Sequence, residues 1–128
     1  AIILVVYFTQ LTTVRLAELT EQACELLDFQ QMGLFFSLDL LGYALMSLAT
    51  FFAGLTVEPK DKPSKWLRAL LMIHGVFFIS CLIMPMLGVF QADSPAWIGV
   101  AVLEFWCAYF CPVAALALHY FRGQTEQK

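Results

Sequence analysis

The stretch Ala96–Phe121 constrains the fold of this chain more than any other feature, because it is almost entirely apolar. A helix needs roughly 20 such residues, each rising about 1.5 Å, to cross the hydrocarbon core of a bilayer. One carboxylate, Glu104, interrupts the run eight positions after Ala96. A charge inside a bilayer is costly and usually has a partner, a bound proton or a function. The stretch therefore predicts a transmembrane helix with a polar residue that needs an explanation.

The composition of the whole chain favours the same class. Of its 128 residues, 61% are hydrophobic and 13% are charged, whereas soluble domains have about 45–50% apolar and about 25% charged residues. The formal net charge of −3 and the lack of a basic helix argue against a nucleic-acid partner. We therefore expect an all-α, polytopic integral membrane protein that is embedded in the lipid bilayer, which is its expected partner.

Four apolar stretches fill nearly all of the chain and predict one domain, 1–128, with four transmembrane helices in an antiparallel bundle. The predicted spans are approximately 1–17, 32–57, 66–90 and 96–121. The first span is short and starts within an apolar run, so we expect the chain to be a fragment of a longer multi-span protein. Pro85 and Pro112 predict kinks in the last two spans.

Two polar segments separate the first three predicted spans. The segment 20–30 is acidic, with Thr20 placed to cap a short helix, and a rough apolar side predicts an amphipathic helix on the outer surface. The segment 58–65 contains two prolines and several charges, so it predicts a loop. Short connections such as 91–95 make consecutive spans antiparallel neighbours.

The distribution of charge predicts the orientation. Six of the seven basic residues are predicted at one side, whereas the opposite side is acidic and has only Arg15 near it. The six are Lys60, Lys62, Lys65, Arg68, Arg122 and Lys128. Positive residues stay in the cytoplasm. The sequence therefore predicts a protein of a bacterial-type plasma membrane, with the loop 58–65 and the C-terminus in the cytoplasm.

Five polar residues are candidates for a buried site or a proton path. Asp39 and Glu104 each lie about eight residues, or roughly 12 Å, below the outer ends of their predicted helices. Gln10 and Arg15 lie near that level, and His74 is closer to the cytoplasmic side. Two interpretations remain open: the carboxylates and His74 conduct protons or ions, or the carboxylates are protonated or paired and hold the helices in register.

Three cysteines give a weaker alternative. Cys107 and Cys111 are four residues apart on one predicted face with Glu104, Ala115 and His119, and we expect this face to point inward. Together with Cys81 they have the ligand chemistry for zinc or copper(I). A C-x-x-x-C spacing is not the C-x-x-C of redox motifs, and buried cysteine commonly packs as a small hydrophobic residue. Packing is the favoured interpretation.

No catalytic motif is present, and the sequence identifies no catalytic residue and no cofactor. The leading hypothesis is a non-enzymatic membrane protein that acts as a subunit of a membrane complex or binds a partner or an apolar small ligand. The first alternative is a proton-coupled carrier or channel component that uses Asp39 and Glu104. The second alternative is an intramembrane metal or redox enzyme.

Overall fold

The computed structural model describes residues 1–89 and 96–125, and all regular structure in these ranges is helical. The α-helices are α1 (Ile2–Thr9), α2 (Glu21–Leu27), α3 (Leu34–Thr56), α4 (Lys62–His74), α5 (Phe77–Met86) and α6 (Ala96–Thr125). A π-helical turn, Gln10–Val14, follows α1, and a 3-10 helix, Phe29–Gln31, precedes α3. The all-α class predicted from the sequence is confirmed for these residues. The predicted turn 91–95 and Lys128 lie outside them.

Three helical stretches of the described chain are long and apolar enough to cross a membrane. They are Leu34–Thr56, Lys62–Met86 and Val100–Gly123. A shorter apolar helix, Ile2–Val14, lies where the sequence predicts the first span. The chain therefore has the helices of a multi-pass membrane protein, and a fourth crossing stays a prediction.

The start of α4 is specified by local hydrogen bonds and comes before the predicted span begins at residue 66. Asp61 is the N-cap, and its carboxylate accepts a 2.8 Å hydrogen bond from the backbone N–H of Ser64. The Asp61 N–H in turn donates to the Ser64 hydroxyl oxygen at 2.9 Å. Pro63 stands in the first turn, where a missing N–H costs nothing. This capping box converts the second half of the predicted loop into helix.

The third predicted span is interrupted in its middle. Helix α4 ends at His74 and α5 begins at Phe77, while Pro85 lies in the last turn of α5. A Cβ on Gly75 would lie only 2.7 Å from the Cβ of Phe51 on α3. The absence of a side chain thus permits close helix contact at the interruption. Helix α6 continues through Pro112.

The described residues form two compact units. The first unit contains residues 1–47 and 77–89, and the second contains residues 48–76 and 96–125. In the first unit, α1 packs on the first half of α3, because Ile3 lies against Gly42 and the hydroxyls of Tyr7 and Tyr43 are 3.4 Å apart. The short helices of residues 21–31 complete this unit.

In the second unit, α4 packs on both α3 and α6. Val57, Leu67 and Val113 form its buried core. Gly54 brings α3 close to Leu71 and Met72 of α4. The N-terminal end of α4 lies near the C-terminal part of α6, where Asp61 is close to His119. The C-terminal end of α4 lies near an earlier part of α6, where His74 is close to Trp106. Within this unit the two helices are therefore antiparallel.

Candidate functional site

Asp39 is the buried carboxylate of the first unit. It lies on α3 and is 3% exposed, and its Oδ1 has no hydrogen-bond partner in the part of the chain that the structure describes. Burial of a carboxylate is costly unless it is compensated by a partner or a bound proton. Asp39 is therefore a candidate proton-binding group.

The side chain of Gln10 is hydrogen-bonded to the backbone of the segment 20–30. Its side-chain amide donates a 2.7 Å hydrogen bond to the carbonyl of Leu27, and its Oε1 accepts a 3.0 Å bond from the N–H of Phe29. These two backbone groups flank the break between α2 and the 3-10 helix. Gln10 also begins the π-helical turn. The structure thus gives Gln10 a role in holding the segment 20–30 against the first unit, which the sequence pattern did not reveal.

Arg15 does not belong to a buried polar group. Its side chain is exposed, and none of the ion pairs in the described ranges includes it. The helical turn ends there, and the chain leaves toward the acidic segment. Arg15 is therefore exposed in the described chain, and its part in a polar site stays a prediction.

His74 is a fully buried polar residue of the second unit. It ends α4, is 0% exposed, and its Nδ1 lies 2.7 Å from the hydroxyl oxygen of Thr50 on α3. Three aromatic rings of α6 surround the imidazole, with centroid distances of 5.6 Å for Trp106, 5.8 Å for Tyr109 and 4.8 Å for Phe110. His74 therefore joins three helices, and a protonated imidazole here would be attracted to the aromatic rings.

Glu104 lies on the side of α6 that is uncovered in the described chain, whereas the sequence predicts that this side points inward. We call this side the Glu104 face; its residues are all exposed in the chain, and they are Glu104, Cys107, Ala108, Cys111, Ala115 and His119. Asp39 belongs to the first unit and Glu104 to the second. The predicted pair of these carboxylates therefore stays a prediction.

The opposite side of α6 is the one that packs. Trp106 and Val113 are buried there, and the Tyr109 hydroxyl donates a 2.6 Å hydrogen bond to the backbone carbonyl of Leu70 on α4. Large aromatic side chains bury more apolar area than the small residues of the Glu104 face. The sequence contains a signal for this packing, because a second stripe at helical spacing consists of large residues. Its residues are Trp106, Tyr109, Val113 and Tyr120.

The cysteines do not assemble with other metal ligands in the described ranges. No group of three or more His, Cys, Asp and Glu residues there is arranged to hold a metal ion. Cys81 belongs to the first unit, whereas Cys107 and Cys111 are exposed on the second. The Cys111 thiol donates to the Cys107 carbonyl at 3.3 Å, as an ordinary helical side chain does.

Charged residues outside the apolar stretches meet at one end of the second unit. Hydrogen bonds from Ser64, through its side chain and its backbone, lower the pKa of Asp61. The hydrogen bond to Glu58 and the charge of that carboxylate raise the pKa of Lys60, whose Nζ lies 2.9 Å from Glu58. His119 Nε2 is 3.8 Å from the Asp61 carboxylate. Glu58 and Asp61 therefore each have a local partner.

Comparisons with family models, with curated proteins and with solved structures give no match for this chain.

Proposed function

We propose that this chain is a non-enzymatic integral membrane protein that acts as a subunit of a membrane complex, with the Glu104 face of α6 against a helix of its partner. One observation carries the proposal: the side of α6 that bears its carboxylate is uncovered, while the aromatic side packs inside the second unit. The face is polar at Glu104 and small at its cysteines and alanines. This combination is typical of a helix contact and unsuited to lipid.

The cost of leaving Glu104 in lipid supports a protein partner. Charged residues at the centre of a membrane helix cost roughly 2.5–3.5 kcal/mol on insertion scales. Glu104 lies about 12 Å of helical rise from Ala96, which is within the depth of the hydrocarbon core. A partner helix that presents a hydrogen-bond donor or a cation at this level removes much of that cost. Ala108 and Ala115 allow its backbone to approach closely.

We further propose four membrane crossings in a bacterial-type plasma membrane, with the C-terminus in the cytoplasm. Packing of α1 on α3, through Ile3 against Gly42 and Tyr7 beside Tyr43, supports a crossing or part of one at the start of the chain. The charge distribution supports the orientation. Lys62, Lys65 and Arg68 lie in the first half of α4, and Arg122 lies in the last turn of α6.

The test is the size of the native assembly. Wild-type chain and an Ala108→Leu/Ala115→Leu double variant are extracted from native membranes in mild detergent and compared by native electrophoresis and mass spectrometry. We expect the wild type in a complex and the double variant at the mass of the chain without a partner. Ala49→Leu, at an exposed position of α3, is the matched control and leaves the complex intact. A free wild-type chain, or a complex unchanged by the double variant, contradicts the proposal.

A second candidate function is a proton-coupled carrier or channel component, and the unpartnered Oδ1 of buried Asp39 favours it. Intramembrane carboxylates that face protein are common in proton relays. The test is proton flux in liposomes for the wild type, Asp39→Asn and Glu104→Gln. Loss of flux in Asp39→Asn with unchanged helicity supports this function. Equal flux in all three proteins, or no flux in the wild type, excludes it.

A further inference from the structure

An apolar groove of about 440 Å³ opens on the second unit. Leu67, Leu71 and Val113 line it, and Leu67 and Val113 belong to the buried core. Ala53 and Ala117 also line the groove and leave space where larger side chains would fill it. The volume is within the 300–1,000 Å³ that is usual for binding sites of small molecules.

Arg68 is a cation of α4 that lies beside two lining residues of the groove in helical position. It follows Leu67 and precedes Leu71 by three residues, so it neighbours Leu71 on the surface of α4. Arg68 is half-buried, and it takes part in no hydrogen bond or ion pair among residues 1–89 and 96–125. Lys65, in contrast, lies about 160° around the helix from Leu67. The guanidinium can bind an anionic group, and the apolar groove can bind a hydrocarbon chain. A ligand that carries both parts would therefore fit here.

The mouth of the groove also carries a hydroxyl group. The Tyr120 oxygen accepts a 3.3 Å hydrogen bond from the backbone N–H of Glu58, which leaves its own proton free to donate. Tyrosine is enriched where membrane proteins meet the headgroups. A phosphate or ester oxygen at this level would find a donor in Tyr120.

The surrounding charge is positive. The ends of the helices here carry Lys62, Lys65, Arg68 and Arg122, none of which is in an ion pair of the described residues. The carboxylate of Glu58 forms an ion pair with Lys60. The carboxylate of Asp61 accepts a hydrogen bond from Ser64 and lies near His119. Clusters of basic residues beside a membrane helix attract anionic lipids.

We propose that the groove binds an anionic phospholipid of the bilayer, with an acyl chain along Leu67 and Val113 and the phosphate against the guanidinium of Arg68. Arginine binds phosphate through two parallel hydrogen bonds, which lysine cannot reproduce. A lipid fits better than a soluble ligand because the groove is apolar and lies on helices that are long enough to cross a membrane. The site is separate from the Glu104 face, so the proposal does not depend on the proposed function.

The experiment measures lipid binding to the purified full chain by native mass spectrometry. The probes are phosphatidylglycerol and phosphatidylcholine with identical acyl chains. We expect wild type to bind phosphatidylglycerol about tenfold more tightly, and Arg68→Gln to remove that preference, since a charge-assisted hydrogen bond contributes about that factor. Lys65→Gln, the matched control, changes it less than about twofold. Equal losses in both variants would indicate diffuse surface attraction and would overturn the site.

A second pair of variants tests the groove itself. Ala117→Phe fills the space and should lower the binding of both lipids, whereas Ala101→Phe, at an exposed position near the other end of α6, should not. Circular dichroism verifies that each variant keeps its helicity, and Ala117→Leu replaces Ala117→Phe if helicity is lost. Unchanged binding in the filled variant overturns the groove as the site of the acyl chain. Equal wild-type affinity for the two lipids overturns the role of Arg68.

Discussion

The Tyr109 hydroxyl donates a 2.6 Å hydrogen bond to the backbone carbonyl of Leu70, and this bond connects the middle of α6 to α4. Tyr109 also contacts the imidazole of His74, with ring centroids 5.8 Å apart. Both contacts need the aromatic side of α6 to turn toward α4. Because opposite sides of a helix cannot pack on the same neighbour, the same rotation leaves Glu104 on the uncovered side.

Tyr109→Phe should lower the free energy of unfolding by about 0.5–1 kcal/mol, which is typical of one hydrogen bond between membrane helices. The ring and its packing are kept, so the loss reports the hydroxyl alone. Unfolding in mixed micelles followed by circular dichroism measures it. Tyr120→Phe is the matched control, since its bond to Glu58 is longer and exposed, and it should cost less. A larger effect of Tyr120→Phe would contradict this account of the helix rotation.

Gln10→Leu should loosen the segment 20–30, because the carbonyl of Leu27 and the N–H of Phe29 each lose their side-chain partner. Unpaired, partly buried polar groups cost about 1–3 kcal/mol each. Hydrogen exchange at Phe29 should accelerate about tenfold or more. Gln31→Ala is the control, because Gln31 is a nearby glutamine whose side chain is exposed. It should leave the exchange rate of Phe29 unchanged. Equal protection of Phe29 in Gln10→Leu and wild type would exclude this role.

Gly33→Ala should destabilise the first unit, because the added Cβ would overlap the backbone carbonyl oxygen of Glu25. A backbone atom cannot rotate away as a side chain can, so α2 has to move. Overpacking of this kind costs about 1–3 kcal/mol. The thermal midpoint and proteolysis within residues 18–31 report the change. Gly123→Ala is the control, since a Cβ there meets no atom within 4 Å. Unaltered proteolysis in Gly33→Ala would show that α2 does not pack on Gly33.

Acid should weaken the start of α4 through Asp61. Hydrogen bonds from Ser64 lower the pKa of Asp61 in the folded chain, so the unfolded chain takes up the proton more readily. The stabilisation is present above the ordinary value of about 3.9 and is lost as the pH falls through the lower, folded value. Protection of the Ser64 amide should decrease below about pH 4.

Asp61→Asn is the control for this pH dependence, because asparagine also caps helices but does not titrate. Comparing the two proteins at each pH removes the intrinsic pH dependence of exchange. We expect the difference between them to vary only in the acid range. A constant difference at every pH would show that the carboxylate makes no charge-dependent contribution to the cap.

Local patterns predicted the elements better than their contacts. The apolar stretches correctly indicated helices of membrane length, and the prolines and charges of 58–65 indicated a break between two of them. The interruption at Gly75 was missed, because Pro85 was the stronger local signal for a bend. The close contact with Phe51 that accompanies it involves residues on another helix. The role of Gln10 was missed for the same reason, since its partners are Leu27 and Phe29.

The sequence by itself determined that this protein is helical and that three of its helices can cross a membrane, because hydropathy and helix length are properties of contiguous residues. Only the tertiary structure decided which sides of those helices are covered. The stripe of Glu104 and the stripe of Trp106 have the same helical spacing, and periodicity cannot rank them. The aromatic stripe packs inward because it fills more space and bonds to Leu70. Glu104 is therefore on the uncovered side of α6.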